Sequence, residues 1–202
     1  MAPSPAERAD VLVIGGGPAG ASTSYWLAKA GVRVVCVERK VFPRDKTCGD
    51  GLTPRAVHQL DDMGLYPALE QYHRYTGLRA VAHGITLELA WPDHPIYPDH
   101  GFVVRRRDLD QLVFEHAAAA GAETYQGTEA VAPIVEGGLV TGAVVKDKAS
   151  GETREIRARY VVIADGANSR FGRALGTARN RAYPQGMAIR TYYESPLHAE
   201  PW

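Results

Sequence analysis

The chain has 202 residues, 45% hydrophobic and 23% charged, which is the composition of a globular domain and excludes a disordered one. Lysines plus arginines and aspartates plus glutamates each number 23, so the formal net charge is zero and nothing electrostatic argues for a nucleic-acid partner. Two cysteines make no disulfide framework and point to a reducing, cytoplasmic compartment. The opening MAPSPAERAD carries both charge signs and no apolar core, so it reads as neither a signal nor a transit peptide. No apolar run reaches the length of a bilayer span, and the expected protein is soluble or rests on a membrane surface.

Residues 11–14 form a continuous apolar run ending in glycine, the pattern of a strand buried on both faces. Pro18 suits the first turn of a helix, which should run to about Ala30 and stop at Gly31. Residues 33–37 predict a second strand closing in Glu38, and the three elements make a βαβ unit with a right-handed crossover. Residues 43–51 read as a charged, glycine-bearing loop. A helix over about 53–63 follows, then alternating stretches at 78–82 and 85–90. Residues 91–100 hold three prolines and should be irregular. A strand at 102–104 and a helix over 108–120, stopped by Gly121, come next. Two strands, 129–136 and 139–146, flank Gly137-Gly138, a two-residue hairpin turn in which both glycines can take positive φ. Ser150-Gly151 turns the chain into a strand at 153–159. A separate short strand at 160–164 is closed by Asp165-Gly166, and residues 186–193 alternate like an antiparallel strand.

Gly15-Gly16-Gly17-Pro18-Ala19-Gly20 satisfies G-x-G-x-x-G in its required context, directly after a buried strand and opening a helix. Gly15 permits the tight turn, Gly17 lets a pyrophosphate approach the backbone, and Gly20 lets the helix lie close to the strand. The helix N-terminus offers free N–H groups and a positive dipole end to phosphates. Glu38 is placed to accept hydrogen bonds from a ribose 2′-OH, which favours FAD or NAD over NADP. A hairpin followed by a strand and Asp-Gly is not how a nicotinamide-only domain continues, and this favours FAD.

The run Phe42-Pro43-Arg44-Asp45-Lys46-Thr47-Cys48-Gly49-Asp50-Gly51-Leu52-Thr53-Pro54-Arg55-Ala56 resembles the corresponding stretch of the geranylgeranyl reductase family. These are hydroxylase-like FAD proteins, and within them the chain looks most like bacterial enzymes that saturate part of a menaquinone's isoprenyl tail. Arg106-x-x-Leu109-Asp110 resembles the family's arginine at a helix start, along the flavin's ribityl-phosphate region. Ala164-Asp165-Gly166-Ala167-Asn168-Ser169 resembles its Asp-Gly motif, whose aspartate helps hold FAD and whose region can meet a nicotinamide donor. The family's later Gly-Asp motif has no counterpart here, so the resemblance implies a chain truncated within its substrate-binding sheet.

The resemblance implies an α/β fold: a Rossmann-like FAD-binding domain over 1–75 and 101–178, and part of an antiparallel substrate-binding sheet over 76–100 and 179–202. Helices are expected on one side of the parallel sheet and a three-stranded meander on the other. The implied cofactor-binding residues are Gly15, Gly17, Pro18, Ala19, Gly20, Glu38, Arg39, Arg44, Cys48, Arg106, Asp165 and Gly166. The implied catalytic loop is Cys48, Gly49 and Asp50. The expected reaction reduces a carbon–carbon double bond of a polyprenyl lipid or quinone, with NAD(P)H or another electron donor and peripheral membrane contact. An isolated alkene accepts hydride poorly, so a positioned acid in an apolar pocket is required. An FAD-dependent monooxygenase acting on an aromatic or polyketide shares the glycine, arginine and Asp-Gly motifs and is the alternative; a non-catalytic FAD-binding fragment is a third.

Cys36, inside its apolar run, reads as a small buried hydrophobe. Arg44 and Lys46 read equally as ligands of a phosphate or quinone head group and as solvated loop charges. Asp93-His94 and Asp99-His100 lie in the proline-rich segment without ligand spacing. No G-x-S-x-G elbow supports hydrolase chemistry.

Overall fold

A computed structural model describes residues 7–177, 180, 182–184 and 186–202. The first six residues of the opening segment and the expected domain boundary at 178/179 lie outside them. In chain order the elements are β1 (Glu7–Ile14), α1 (Pro18–Lys29), β2 (Val34–Glu38), β3 (Gly51–Leu52), α2 (Pro54–Asp62), α3 (Tyr66–Leu69), β4 (His73–Tyr75), β5 (Gly77–Ala82), β6 (Ile85–Ala90) and β7 (Gly101–Val103). After them come α4 (Arg106–Ala119), β8 (Glu123–Gln126), β9 (Thr128–Glu136), β10 (Leu139–Asp147), β11 (Thr153–Ile163) and α5 (Arg170–Ala174). The chain forms two compact units, residues 1–45 with 107–186 and residues 46–106 with 187–202. Residues 46–75, grouped with the first domain in the sequence division, cluster with 76–100 in the structure.

The first unit is built on a six-stranded sheet in the order β8-β2-β1-β11-β10-β9. β1 runs parallel to β2 and to β11, and β2 runs parallel to β8. Leu12, Ile14, Val35 and Val37 form a core with Ala143, Val145, Ile156 and Phe171. Their neighbours Val11, Val13, Val34 and Cys36 are buried as well. Both faces of the central strands are therefore covered, which is why the sequence shows continuous apolar runs there instead of alternation. Each such valine or leucine contributes about 1.5–3 kcal/mol by leaving water.

Two expectations are corrected here. β11 is one continuous strand, not two. It pairs with β10 over Thr153 to Arg157 and with β1 over Ile156 to Ile163, so its two halves look different in sequence because they face different neighbours. The meander shares this strand and, as expected, lies over the parallel sheet: Ala143 and Val145 of β10 pack with Ile156 against Leu12, Ile14, Val35 and Val37, and β9 comes close to β2. β8 was not expected: Glu-Thr-Tyr-Gln has no apolar run because it is an edge strand. The hairpin turn matches the expectation, with φ of 57° at Gly137 and 80° at Gly138.

In the second unit, β7 pairs antiparallel with β3 and β4, and β5 with β6. On one face of the β5–β6 hairpin Leu78 opposes Leu89, Ala80 opposes Leu87 and Ala82 opposes Ile85. On the other face Arg79 bonds Glu88 and Glu200. Residues 91–100 are irregular, as their prolines require. The strand expected at 186–193 is absent: no described strand pairs with it, and alternation without a neighbouring backbone makes no ladder. Among the described residues no helix is long and apolar enough to cross a membrane.

Candidate functional site

The strand order fixes where a ligand can sit. From β1 the chain winds outward through β2 to β8, and then returns to place β11 on the other side of β1. Ligands of open α/β sheets bind beyond the carboxyl ends of the strands at such a reversal. Three expected segments end there: the glycine turn after β1, Glu38 closing β2 and Asp165 after β11.

The turn is packed so tightly that most of its glycines are obligatory. Gly15 has φ of 103°, and a Cβ on it would lie 2.5 Å from the Ala164 carbonyl oxygen. A Cβ on Gly20 would lie 1.8 Å from the Gly15 carbonyl oxygen, so α1 sits directly on the end of β1. Gly16 occupies an unrestricted position of the fingerprint, yet a Cβ there would meet the Phe114 ring at 2.6 Å. Gly17 is different. It has no left-handed φ, and its nearest neighbour would be Arg44 Nη2 at 3.6 Å. Gly17 is also the N-cap of α1 and supplies no side chain to cap it. Pro18 has no N–H to offer, and helix geometry leaves the Ala19 and Gly20 amides without intrahelical acceptors. The turn thus presents open space and unsatisfied donors on the same side.

Glu38 is buried and already bonded within the protein. Its Oε2 accepts from the Gly16 N–H at 2.8 Å and its Oε1 from the Lys40 N–H at 3.0 Å. It therefore holds the glycine turn against the end of β2 while keeping further lone pairs for a ligand hydroxyl. Arg39 follows it and is exposed. Arg44 Nη1 pairs with Asp110 Oδ2 at 2.9 Å, and its Nε lies 3.6 Å from Glu38 Oε1 without a hydrogen bond. Asp110 is fully buried, and the Arg44 guanidinium lies over the Phe42 ring at 4.9 Å. In the sequence Asp110 stands out only as the end of Arg106-x-x-Leu109-Asp110, because its partner Arg44 is 66 positions away in the chain.

Asp165 is half-buried beside Gly15. Its Oδ2 accepts from the Arg170 and Phe171 N–H groups at 3.1 and 3.4 Å, capping α5. Its Oδ1 is buried and makes no hydrogen bond. An orphaned carboxylate oxygen is costly unless a donor arrives, and a ligand hydroxyl at the sheet's carboxyl edge would supply one. Gly166, at φ of 88°, makes the turn after it.

The remaining expected residues belong to the second unit. Cys48 and Gly49 are exposed. The Asp50 carboxylate accepts from the Arg106 N–H at 3.0 Å and from the Tyr192 hydroxyl at 2.7 Å, and lies 3.5 Å from Arg190. Arg106 is the first residue of α4 and half-buried. Arg190 and Tyr192 were missed because the sequence gives no sign of their contact with Asp50. Among the described residues no group of three or more His, Cys, Asp or Glu is arranged to hold a metal ion. His94 Nδ1 accepts from the Ile96 and Tyr97 N–H groups, and His100 bonds Tyr66 and Asp99.

The two cysteines differ as the sequence implied. Cys36 is fully buried, and burial pushes its thiol up to about 12, with the Ser24 hydroxyl lowering it and Glu38 raising it further. A thiol that stays protonated and buried is unreactive. Titration of native protein with a thiol-specific disulfide reagent at pH 8 is expected to count one reactive group, Cys48, and two after denaturation. Two rapid groups in the native protein would contradict the packing around Cys36.

A family model described as an FAD binding domain matches residues 8–195. The chain belongs to the FAD binding domain family. Menaquinone reductase of Mycolicibacterium smegmatis is 42% identical over 195 residues, covering 96% of this chain and 46% of that protein. The chain thus spans about half the length of the curated relatives it matches. Among solved structures, a geranylgeranyl bacteriochlorophyll reductase-like protein from Thermoplasma acidophilum superimposes with a TM-score of 0.72 at 28% identity, covering 85% of this chain and 42% of that one. A myxobacterial chondrochloren halogenase, an FAD-dependent enzyme, gives 0.76 at 26% identity, covering 83% and 39%. The site fits the cofactor of this FAD binding domain. The uncapped α1, the open Gly17 and the orphaned Asp165 oxygen offer donors to phosphate and an acceptor to a hydroxyl at one end of the sheet.

Proposed function

We propose that the chain is the flavin-holding part of an FAD-dependent oxidoreductase that reduces carbon–carbon double bonds of a polyprenyl group on a lipid or a quinone. The observation that carries this reading is the 42% identity to a menaquinone reductase, which extends over 96% of the chain. Gly15, Gly17, Pro18, Ala19 and Gly20 hold the pyrophosphate through backbone and helix dipole. Glu38 and Arg39 flank the ribose. Arg44, beside Gly17, balances phosphate charge, and Asp165 with Gly166 accepts from a cofactor hydroxyl. Arg106 and Cys48 join this set through the family resemblance. Residues 1–75 and 101–178 serve the cofactor, and 76–100 and 179–202 belong to the substrate side.

Bound and reduced, FAD supplies a hydride to one alkene carbon. The protein must align the alkene, exclude water and deliver a proton to the other carbon. The loop of Cys48, Gly49 and Asp50 serves that work. NAD(P)H or another donor reduces the flavin, and the greasy substrate brings the protein to a membrane surface. The halogenase-like fold supports a second reading, oxygen-dependent flavin chemistry on an aromatic substrate.

The purified chain should bind FAD, seen as a protein-bound flavin spectrum and chromatographic release of FAD. Asp165→Ala should weaken that binding about tenfold, since a hydrogen bond to a charged acceptor is lost. A folded chain that takes up no FAD on titration would sink the cofactor assignment. With dithionite-reduced FAD and a polyprenyl menaquinone, mass spectrometry should show product heavier by two hydrogens. A gain of one oxygen under air would instead establish the monooxygenase reading.

A further inference from the structure

The residues on either side of Cys48 are held by side chains from a distant part of the chain. Within the second unit, residues 46–49 are exposed, yet the Asp50 side chain is only 11% exposed. Tyr192 donates its hydroxyl to Asp50 Oδ2 at 2.7 Å. Arg190 Nη1 lies 3.5 Å from Asp50 Oδ1, and the same nitrogen donates to the Lys46 carbonyl at 3.0 Å. The Tyr192 ring carries the Arg190 guanidinium at 4.7 Å and that of Arg105 at 5.2 Å. Asp50 also anchors the start of α4, its carboxylate accepting from the Arg106 N–H at 3.0 Å and its carbonyl from the Val104 N–H at 2.8 Å.

Two residues of an irregular segment therefore grip a short loop at both ends, Lys46 by its carbonyl and Asp50 by its carboxylate. Between the grips, Gly49 has nothing within 4 Å of where a Cβ would stand. A loop with that freedom has backbone entropy to lose, and end anchors are an effective way to remove it. We infer that Arg190 and Tyr192 are positioning residues for Cys48, acting through Lys46 and Asp50, and that Asp50 is the loop's anchor instead of its acid. The role in reaction rests on the function proposed above; the anchoring does not. Charge-assisted hydrogen bonds are the strong class, so a carboxylate with two such donors and an arginine is well held. Desolvation, followed by the bond to Asp50, raises the Tyr192 phenol above its ordinary value, so it remains a donor throughout the neutral range.

Amide hydrogen exchange tests this without flavin or substrate, so failure here is separable from failure of the proposed function. The reporters are residues 46–51 and the Val104 and Arg106 amides, whose acceptors belong to Asp50. Tyr192→Phe, which removes one oxygen and keeps the ring, should speed their exchange at least fivefold with the melting temperature unchanged. Arg190→Gln should do the same, and Arg190→Lys should restore part of the protection. Unchanged exchange there in both Tyr192→Phe and Arg190→Gln overturns the inference. Exchange that rises evenly across the whole unit also overturns it, because the side chains would then stabilise the unit at large and not the loop.

Discussion

Gly20→Ala is expected to destabilise the chain by about 3 kcal/mol or more, whereas Gly17→Ala should leave stability within about 0.5 kcal/mol and weaken FAD at least tenfold. The contrast follows from what each new methyl would meet. At Gly20 it would lie 1.8 Å from a backbone oxygen of Gly15, which cannot rotate away as a side chain could. Relief requires α1 to lift off β1, and the turn between them moves with it. At Gly17 the φ of −72° suits any residue, and the methyl would stand 3.6 Å from the Arg44 guanidinium. It fills only the space that a pyrophosphate would use. Urea unfolding followed by circular dichroism gives the first quantity and flavin titration the second. Gly17→Ala protein that binds FAD as tightly as the original would place the phosphates elsewhere.

Asp110→Asn should cost about 3 kcal/mol, and Asp110→Leu combined with Arg44→Leu should recover most of that loss. Asp110 is fully buried and the Arg44 side chain is 11% exposed, so neutralising the acid strands a guanidinium largely out of water. Glu38 at 3.6 Å is too distant to replace the 2.9 Å pair. Replacing both partners removes the stranded charge along with the attraction, which is why buried pairs are often neutral to exchange for apolar residues. Denaturant midpoints at constant slope measure both variants. A loss below about 0.5 kcal/mol for Asp110→Asn would mean that the guanidinium finds water or a second acid.

What the sequence made legible was local. The glycine turn, its helix and Glu38 span only 24 positions, and each residue is dictated by its immediate neighbours. The Gly137-Gly138 hairpin was legible for the same reason. Contacts between remote segments were not: the Arg44–Asp110 pair and the Asp50–Tyr192 bond, separated by 142 positions, leave no periodic trace. β8 was hidden because an edge strand need not be apolar. β11 was divided because its character changes where one neighbour ends and another continues. At 186–193 the pattern misleads in the other direction, since alternation describes a side-chain pattern and a strand also needs a backbone beside it.

The pairing of β1 with β11 has a consequence during synthesis. Glu7 lies opposite Ile156, so β1 waits about 150 residues for its neighbour on that side. At roughly 5–20 residues per second, translation leaves that edge open for roughly 8 to 30 seconds. Throughout that interval β1 can be bordered by β2 alone. The nascent chain therefore carries the apolar run 11–14 of this strand with one bare edge while the whole second unit except its last segment is being made. A ribosome-associated chaperone that shields extended apolar segments would have its natural client window there, closing when residues 156–163 clear the exit tunnel.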